Sequence, residues 1–115
     1  MKGKEAEDRA LKYLLGLGHV LLKRNYRIRG GEVDLITRAP DGTVVFTEVK
    51  HRSKTDFGHP LETITPRKVR LLWRTALRFL GRDDVSCRFD AITITGDVQA
   101  GQLKHEESIV TGGEH

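Results

Sequence analysis

Cysteine is almost missing from this chain. Its 115 residues hold one, Cys87, so no disulfide can close within it and a cysteine-built zinc site has no ligands to draw on. A reducing, cytoplasmic setting is the expectation, and Cys87 reads as strand or core filling rather than as a nucleophile. Long apolar runs are missing too. None approaches the ~20 residues that span a bilayer, and the charged start (Lys2, Lys4, Glu5, Glu7, Asp8, Arg9) has no signal-peptide core. No membrane association is expected. There is no internal repeat and no low-complexity segment.

What is present is charge, and apolar residues spaced for regular structure. Charged residues make up 31% and hydrophobic ones 37%, a globular composition rather than a disordered one. The length suits one domain. Residues 1–95 read as its core, and 96–115 as a last strand and tail. Twenty Lys and Arg face sixteen Asp and Glu, a net charge of +4. A basic domain points to an anionic partner, nucleic acid first.

The periodicity predicts an α/β order. Ala6, Ala10, Leu14 and Leu17 recur at helical spacing over Lys4–Leu17, with Gly18 as the stop. Strands follow over His19–Arg29, Glu32–Arg38 and Thr43–His51. Gly30-Gly31 and Pro40-Asp41-Gly42 are the turns between them. Residues 52–63 are polar and read as a loop. Thr65-Pro66 starts a second helix with an apolar face (Val69, Leu72, Trp73, Ala76, Leu77, Leu80), and Gly81 ends it. Arg88–Thr95 alternates as a strand, and Leu103–Val110 offers a last one. The result is a mixed sheet with helices against it.

Chemistry concentrates in Glu48-Val49-Lys50, at the end of an apolar strand that looks central. Strand alternation sends Glu48 and Lys50 to the same face. An isolated Glu-x-Lys is common and usually a surface ion pair. Asp34 makes this one different. It lies among Val33, Leu35 and Ile36 on the preceding strand, and pairing around Asp41-Gly42 brings it close to Glu48. Two adjacent carboxylates repel unless a cation sits between them. Oxygen donors of this kind, with the Val49 carbonyl, suit Mg²⁺ or Mn²⁺. Such an ion activates water and neutralises phosphoryl charge, and Lys50 would serve that water. Glu5 borders the apolar stripe of the first helix and can point toward the sheet.

Three blocks then carry a resemblance: Gly31-Glu32-Val33-Asp34-Leu35-Ile36, Phe46-Thr47-Glu48-Val49-Lys50 and Arg88-Phe89-Asp90. Over about Gly3–Ile94 the chain resembles the YraN family of small uncharacterised bacterial proteins. That family is similar to the PD-(D/E)xK restriction-endonuclease-like superfamily, and closest in pattern to archaeal Holliday junction resolvases. The resemblance implies a mixed sheet flanked by helices. It implies a catalytic set of Glu5 (in Gly3-Lys4-Glu5), Asp34, Glu48 and Lys50, with Asp34, Glu48 and Glu5 holding Mg²⁺ or Mn²⁺. It also implies a homodimer and a DNA substrate, branched or single-stranded.

Secondary candidates remain open. Glu32 shares the face of Asp34 as a second ligand or a surface acid. Asp90 is better read as structural than as part of the site. The five histidines lack metal-ligand spacing. Arg67, Arg70, Arg74 and Arg78 form a helical stripe, Arg52 and Lys54 follow the Glu-x-Lys strand, and Arg24, Arg27 and Arg29 alternate before Gly30. Such groups neutralise backbone phosphates without reading sequence. The expected function is metal-dependent hydrolysis of DNA phosphodiesters. The alternatives are a non-catalytic nucleic-acid-binding module of the same fold, acting in recombination, repair or DNA uptake, and an interaction protein whose charges pair internally.

Overall fold

A computed structural model of the chain describes residues 3–53, 65–82 and 84–109. The elements are α1 (Lys4–Gly16), β1 (Val20–Ile28), β2 (Gly31–Arg38), β3 (Val44–Arg52), α2 (Pro66–Leu80), β4 (Cys87–Thr95) and β5 (Gln102–Glu106). The strands form one sheet in the order β1-β2-β3-β4-β5. Pairing is antiparallel except between β3 and β4, which run parallel and are joined through α2. A parallel neighbour requires such a crossover. The architecture is α/β, a five-stranded mixed sheet with a helix on each face, compatible with a restriction-endonuclease-like fold. Among the described residues, no helix is long and apolar enough to cross a membrane.

Local chemistry sets the helix ends. α1 closes as a Schellman turn: Gly18 sits at φ +94 and the His19 N–H reaches the Leu14 carbonyl at 3.1 Å. α2 opens with Thr65, whose hydroxyl accepts the Lys68 N–H at 3.1 Å, and Pro66 follows. Gly81 ends it in the left-handed conformation.

Each helix covers its own face. Ala10 and Leu14 of α1 pack on Leu35 and Ile92. α2 lays Ala76, Leu72, Trp73, Phe79 and Leu80 over Val33, Ile36, Val44, Phe46 and Phe89. Phe46 and Phe89 stack with centroids 5.4 Å apart, and Trp73 stands edge-on to Phe89 at 5.0 Å. Burying side chains of this size contributes about 1.5–3 kcal/mol each, so the α2 face holds the larger share of the core. Cys87 is half-buried at the start of β4, against this cluster, and burial pushes its thiol up, away from thiolate reactivity.

Among the described residues the last strand runs Gln102–Glu106 rather than from Leu103 onward to Val110, which lies outside the described residues. Glu107 and Ser108 leave the ladder because Asp90 takes the Ser108 N–H at 3.1 Å, and Ser108 adopts φ +56. Asp90 is fully buried. It also accepts from Arg88 Nε at 3.1 Å and pairs with His105 Nε2 at 2.8 Å. His105 in turn meets the Tyr13 hydroxyl of α1 at 3.1 Å. Burial alone would raise the Asp90 carboxyl. The bonds from His105, Arg88 and Ser108 outweigh it and hold the group below its ordinary value. Asp90 is structural, a tie between β4, β5 and the segment beyond.

Removing that tie leaves the part-buried Arg88 without its carboxylate and His105 and the Ser108 N–H without their acceptor. Asp90→Ala should lower the unfolding free energy by about 3–5 kcal/mol in urea titration. The depressed folded pKa means that the Asp90 contribution is fully present above the unfolded value of 3.8 and is lost as pH falls through the lower folded value. The variant should therefore show a shallower acid transition than the parent.

Candidate functional site

β2 and β3 part company halfway. They pair from Arg38–Val44 to Leu35–Thr47. Beyond that, β2 stays with β1 to its end at Gly31, and β3 stays with β4 to Arg52. The sheet forks, and Asp34 is the first residue inside. Its Oδ2 accepts the Val49 N–H at 2.8 Å, so a side chain holds the amide that a straight ladder would have paired with backbone. A strand residue turns its N–H and its C=O to the same neighbour. The Val49 carbonyl therefore faces the fork as well.

Glu48 and Lys50 share one face of β3, as alternation requires. Lys50 Nζ lies 3.5 Å from Glu48 Oε1, and Lys68 Nζ of α2 lies 3.4 Å from the same oxygen. Lys68 was not among the sequence candidates, although its position shows in the helical period. Lys68, Leu72, Thr75 and Ala76 fall on the inner side of α2, while Arg67, Arg70, Arg74 and Arg78 fall on the exposed side.

The helical glutamate differs from expectation. Glu5 is exposed and lies in a separate groove with Asp8, Arg9, Lys12 and Gln99. Glu7 faces the fork instead, in an open groove of about 720 Å³ that it shares with Arg24, Asn25, Glu32 and Asp34. The reason is angular. With about 100° per residue, Glu7 stands about 60° from the centre of the buried Ala6-Ala10-Leu14 stripe and Glu5 about 140°. Glu7 is pinned by Arg24 Nη2 and Asn25 Nδ2, each 3.3 Å from Oε1. Asn25 reaches it from a left-handed backbone conformation, φ +53, which Asn tolerates well.

The charges around the fork are unevenly balanced. Glu7 has Arg24, Glu48 has Lys50 and Lys68, and Glu32 has Arg27 at 2.8 Å. Asp34 has no cationic partner among the described residues. Burial pushes its carboxyl up to about 6. The Val49 amide opposes this, and the neighbouring Glu7, Glu48 and Glu32 reinforce it. A half-buried acid amid three other acids lacks one positive charge.

The donor set fits a hard divalent cation of one kind. Among the described residues no three His, Cys, Asp or Glu side chains converge on a point. An all-protein cage is therefore not what is built. Asp34, Glu48 and the Val49 carbonyl offer one or two carboxylates and a backbone oxygen, the sparse protein shell that Mg²⁺ accepts because it keeps several waters.

The basic groups divide sharply. Arg24 and Arg27 are spent on Glu7, Asp8 and Glu32, so they brace the site's acids rather than wait for phosphate. Arg67, Arg70, Arg74 and Arg78 are exposed and have no ion pair among the described residues. Their stripe ends beside Lys68. Arg52 closes β3, and Lys54 and His59 lie outside the described residues. His51 meets the Gly96 carbonyl at 2.7 Å. His19 is buried on the Thr37 hydroxyl, and burial depresses its pKa.

Comparison with known proteins follows the same stretch of chain. Residues 6–94 match the profile of a family described as "Uncharacterised protein family UPF0102". A UPF0102 protein of Deinococcus radiodurans is 47% identical over 107 residues, which covers 90% of this chain and 87% of the relative. One from Thermus thermophilus is 47% identical over 105 residues, covering 91% and 93%. One from Cupriavidus pinatubonensis is 42% identical over 115 residues, covering 98% and 90%.

The uncompensated acid gives a signed expectation. A carboxyl raised to about 6 costs the fold stability as pH climbs from 3.8 through that value. Metal-free Asp34→Asn should melt several degrees above wild type at pH 8, and the gap should close at pH 4. Added Mn²⁺ should raise the melting temperature of wild type and leave the variant unmoved. A variant that melts below wild type at pH 8 would show that the Asp34 charge is already balanced.

Proposed function

This chain belongs to the uncharacterised UPF0102 family, and from that premise we propose that it is a metal-dependent nuclease that hydrolyses phosphodiester bonds of DNA. The observation that carries the reading is Asp34. It is a half-buried carboxyl without a cationic partner among the described residues, held by the Val49 N–H where β2 and β3 part and close enough to Glu48 to feel its charge.

Asp34 and Glu48 would hold Mg²⁺ or Mn²⁺, with the Val49 carbonyl beside them and Glu7 in the place expected for Glu5. The bound ion supplies charge neutralisation on the phosphoryl group and an acidified water. Lys50 is half-exposed and 3.5 Å from Glu48. It orients the attacking water and meets the charge that develops on the phosphate. Lys68 meets the same Glu48 oxygen from α2 and helps to position it. Arg67, Arg70, Arg74 and Arg78 take backbone phosphates along α2. A homodimer belongs to the same proposal. Leu15, Leu17, Val20 and Leu21 are exposed where α1 ends and the edge strand β1 begins, an apolar surface on which a second copy can pack.

One observation favours a second reading. Glu48 already has two lysines on it, and no three-ligand cluster is present among the described residues. That arrangement also suits a module that binds nucleic acid without cutting it.

Turnover separates the two. Wild type with Mn²⁺ should cleave at least one of labelled single-stranded, duplex or branched DNA. Lys50→Ala should be slower by roughly 10²–10⁴-fold at unchanged affinity. Equal rates would sink the role of Lys50, and a band shift without cleavage would establish the binding module. Replacing the α2 arginines by alanine should flatten the slope of log affinity against log salt by about 0.9 for each.

A further inference from the structure

A cavity of about 180 Å³ lies between α2 and the sheet, next to the fork. Val33, Phe46, Leu72 and Phe89 wall it. Glu48 and Lys68, about one-third exposed, mark its mouth. Val33, Phe46 and Phe89 are almost wholly buried, whereas Gly30 and Glu32, which also line the cavity, are exposed, so it opens along the side where Glu32, Glu48 and Lys68 lie. Gly31 sits at its edge, and α2 approaches there so closely that a Cβ would lie 2.9 Å from the Thr75 hydroxyl. The Thr75 and Leu71 side chains of α2 therefore close the cavity on that side.

We infer that this cavity receives one unpaired pyrimidine base of the substrate, so that the site acts on single-stranded or locally unpaired nucleic acid. The inference rests on the nuclease reading and names its substrate class. Size is the first argument: an apolar cavity of about 150 Å³ accepts a benzene ring, so this one accommodates a single six-membered ring and is small for a purine. Position is the second. The mouth is formed by Glu48 and Lys68, so a base seated inside leaves its own phosphate at the fork. The arginine stripe then follows the neighbouring phosphates of one strand. A base within a duplex reaches the cavity only after unpairing and unstacking, which costs least where it is already unpaired.

The test uses the whole protein with Ca²⁺ in place of Mn²⁺ to suspend turnover. Thymidine 5′-monophosphate should shift the methyl NMR signals of Val33, Leu71 and Leu72 and leave Leu14 and Leu35, under α1, in place. Oligothymidylate should bind more tightly than oligoadenylate of equal length, by about five- to tenfold. Leu71→Trp, which fills the cavity, should erase that preference and keep salt-sensitive binding. Pyrimidine runs stack weakly on themselves and can bind better for that reason alone. A preference that survives Leu71→Trp, or methyl signals that stay still while nucleic acid binds, would overturn the inference and leave the nuclease reading standing. Failure to bind any nucleic acid would overturn both.

Discussion

The bond from the Val49 N–H to Asp34 is where this fold and its candidate chemistry meet. A sheet that stayed zipped between β2 and β3 would pair that amide with backbone and bury Asp34 against a strand. Opened at Leu35–Thr47, it leaves an amide that must be satisfied, and the aspartate satisfies it. The same opening turns the Val49 carbonyl toward Asp34, while Glu48 on the same strand meets Lys50 and Lys68. Both flanking strand pairs stay closed on either side, so the fork is held open by the sheet itself.

The surrounding charges show what such a fork costs. Every other acid near it has been given a cation: Arg24 for Glu7, Arg27 for Glu32, two lysines for Glu48. These pairs lie at or near the surface and are weak individually. Their value is in fixing side chains and limiting mutual repulsion. Asp34, held by the Val49 N–H, has no cationic partner among the described residues. A carboxyl left in that state costs the fold stability once it ionises.

Much of this was legible in the chain. Thr65-Pro66 and Gly81 framed α2 to the residue, because caps are local chemistry. Asp34, Glu48 and Lys50 were legible because strand alternation and one tight turn determine which side chains meet. The structure puts Glu7 rather than the expected Glu5 in the groove with Asp34, since both border the apolar stripe and the difference is a helical angle read against a sheet whose position the sequence does not show. Arg24 and Arg27 looked like phosphate ligands for a similar reason. A sequence shows that an arginine exists, and only the fold shows that an acid already holds it. Asp90 was read correctly as structural, but its partner His105 lies across the β4–β5 hairpin and could not be named. The fork was invisible, because no residue pattern announces where a ladder stops.

The parallel pairing of β3 with β4 has a consequence for the order of assembly. β1, β2 and β3 meet through tight turns, and β4 and β5 through another. Val44 and Cys87 are partners that must find each other across the whole α2 crossover. Contacts of that separation carry the larger loop-closure entropy and form slowly. Lys68 reaches Glu48 only once the crossover has docked. The β1–β3 meander can therefore pair Glu32 with Arg27 and Glu48 with Lys50 on its own, whereas the second lysine on Glu48 waits for α2.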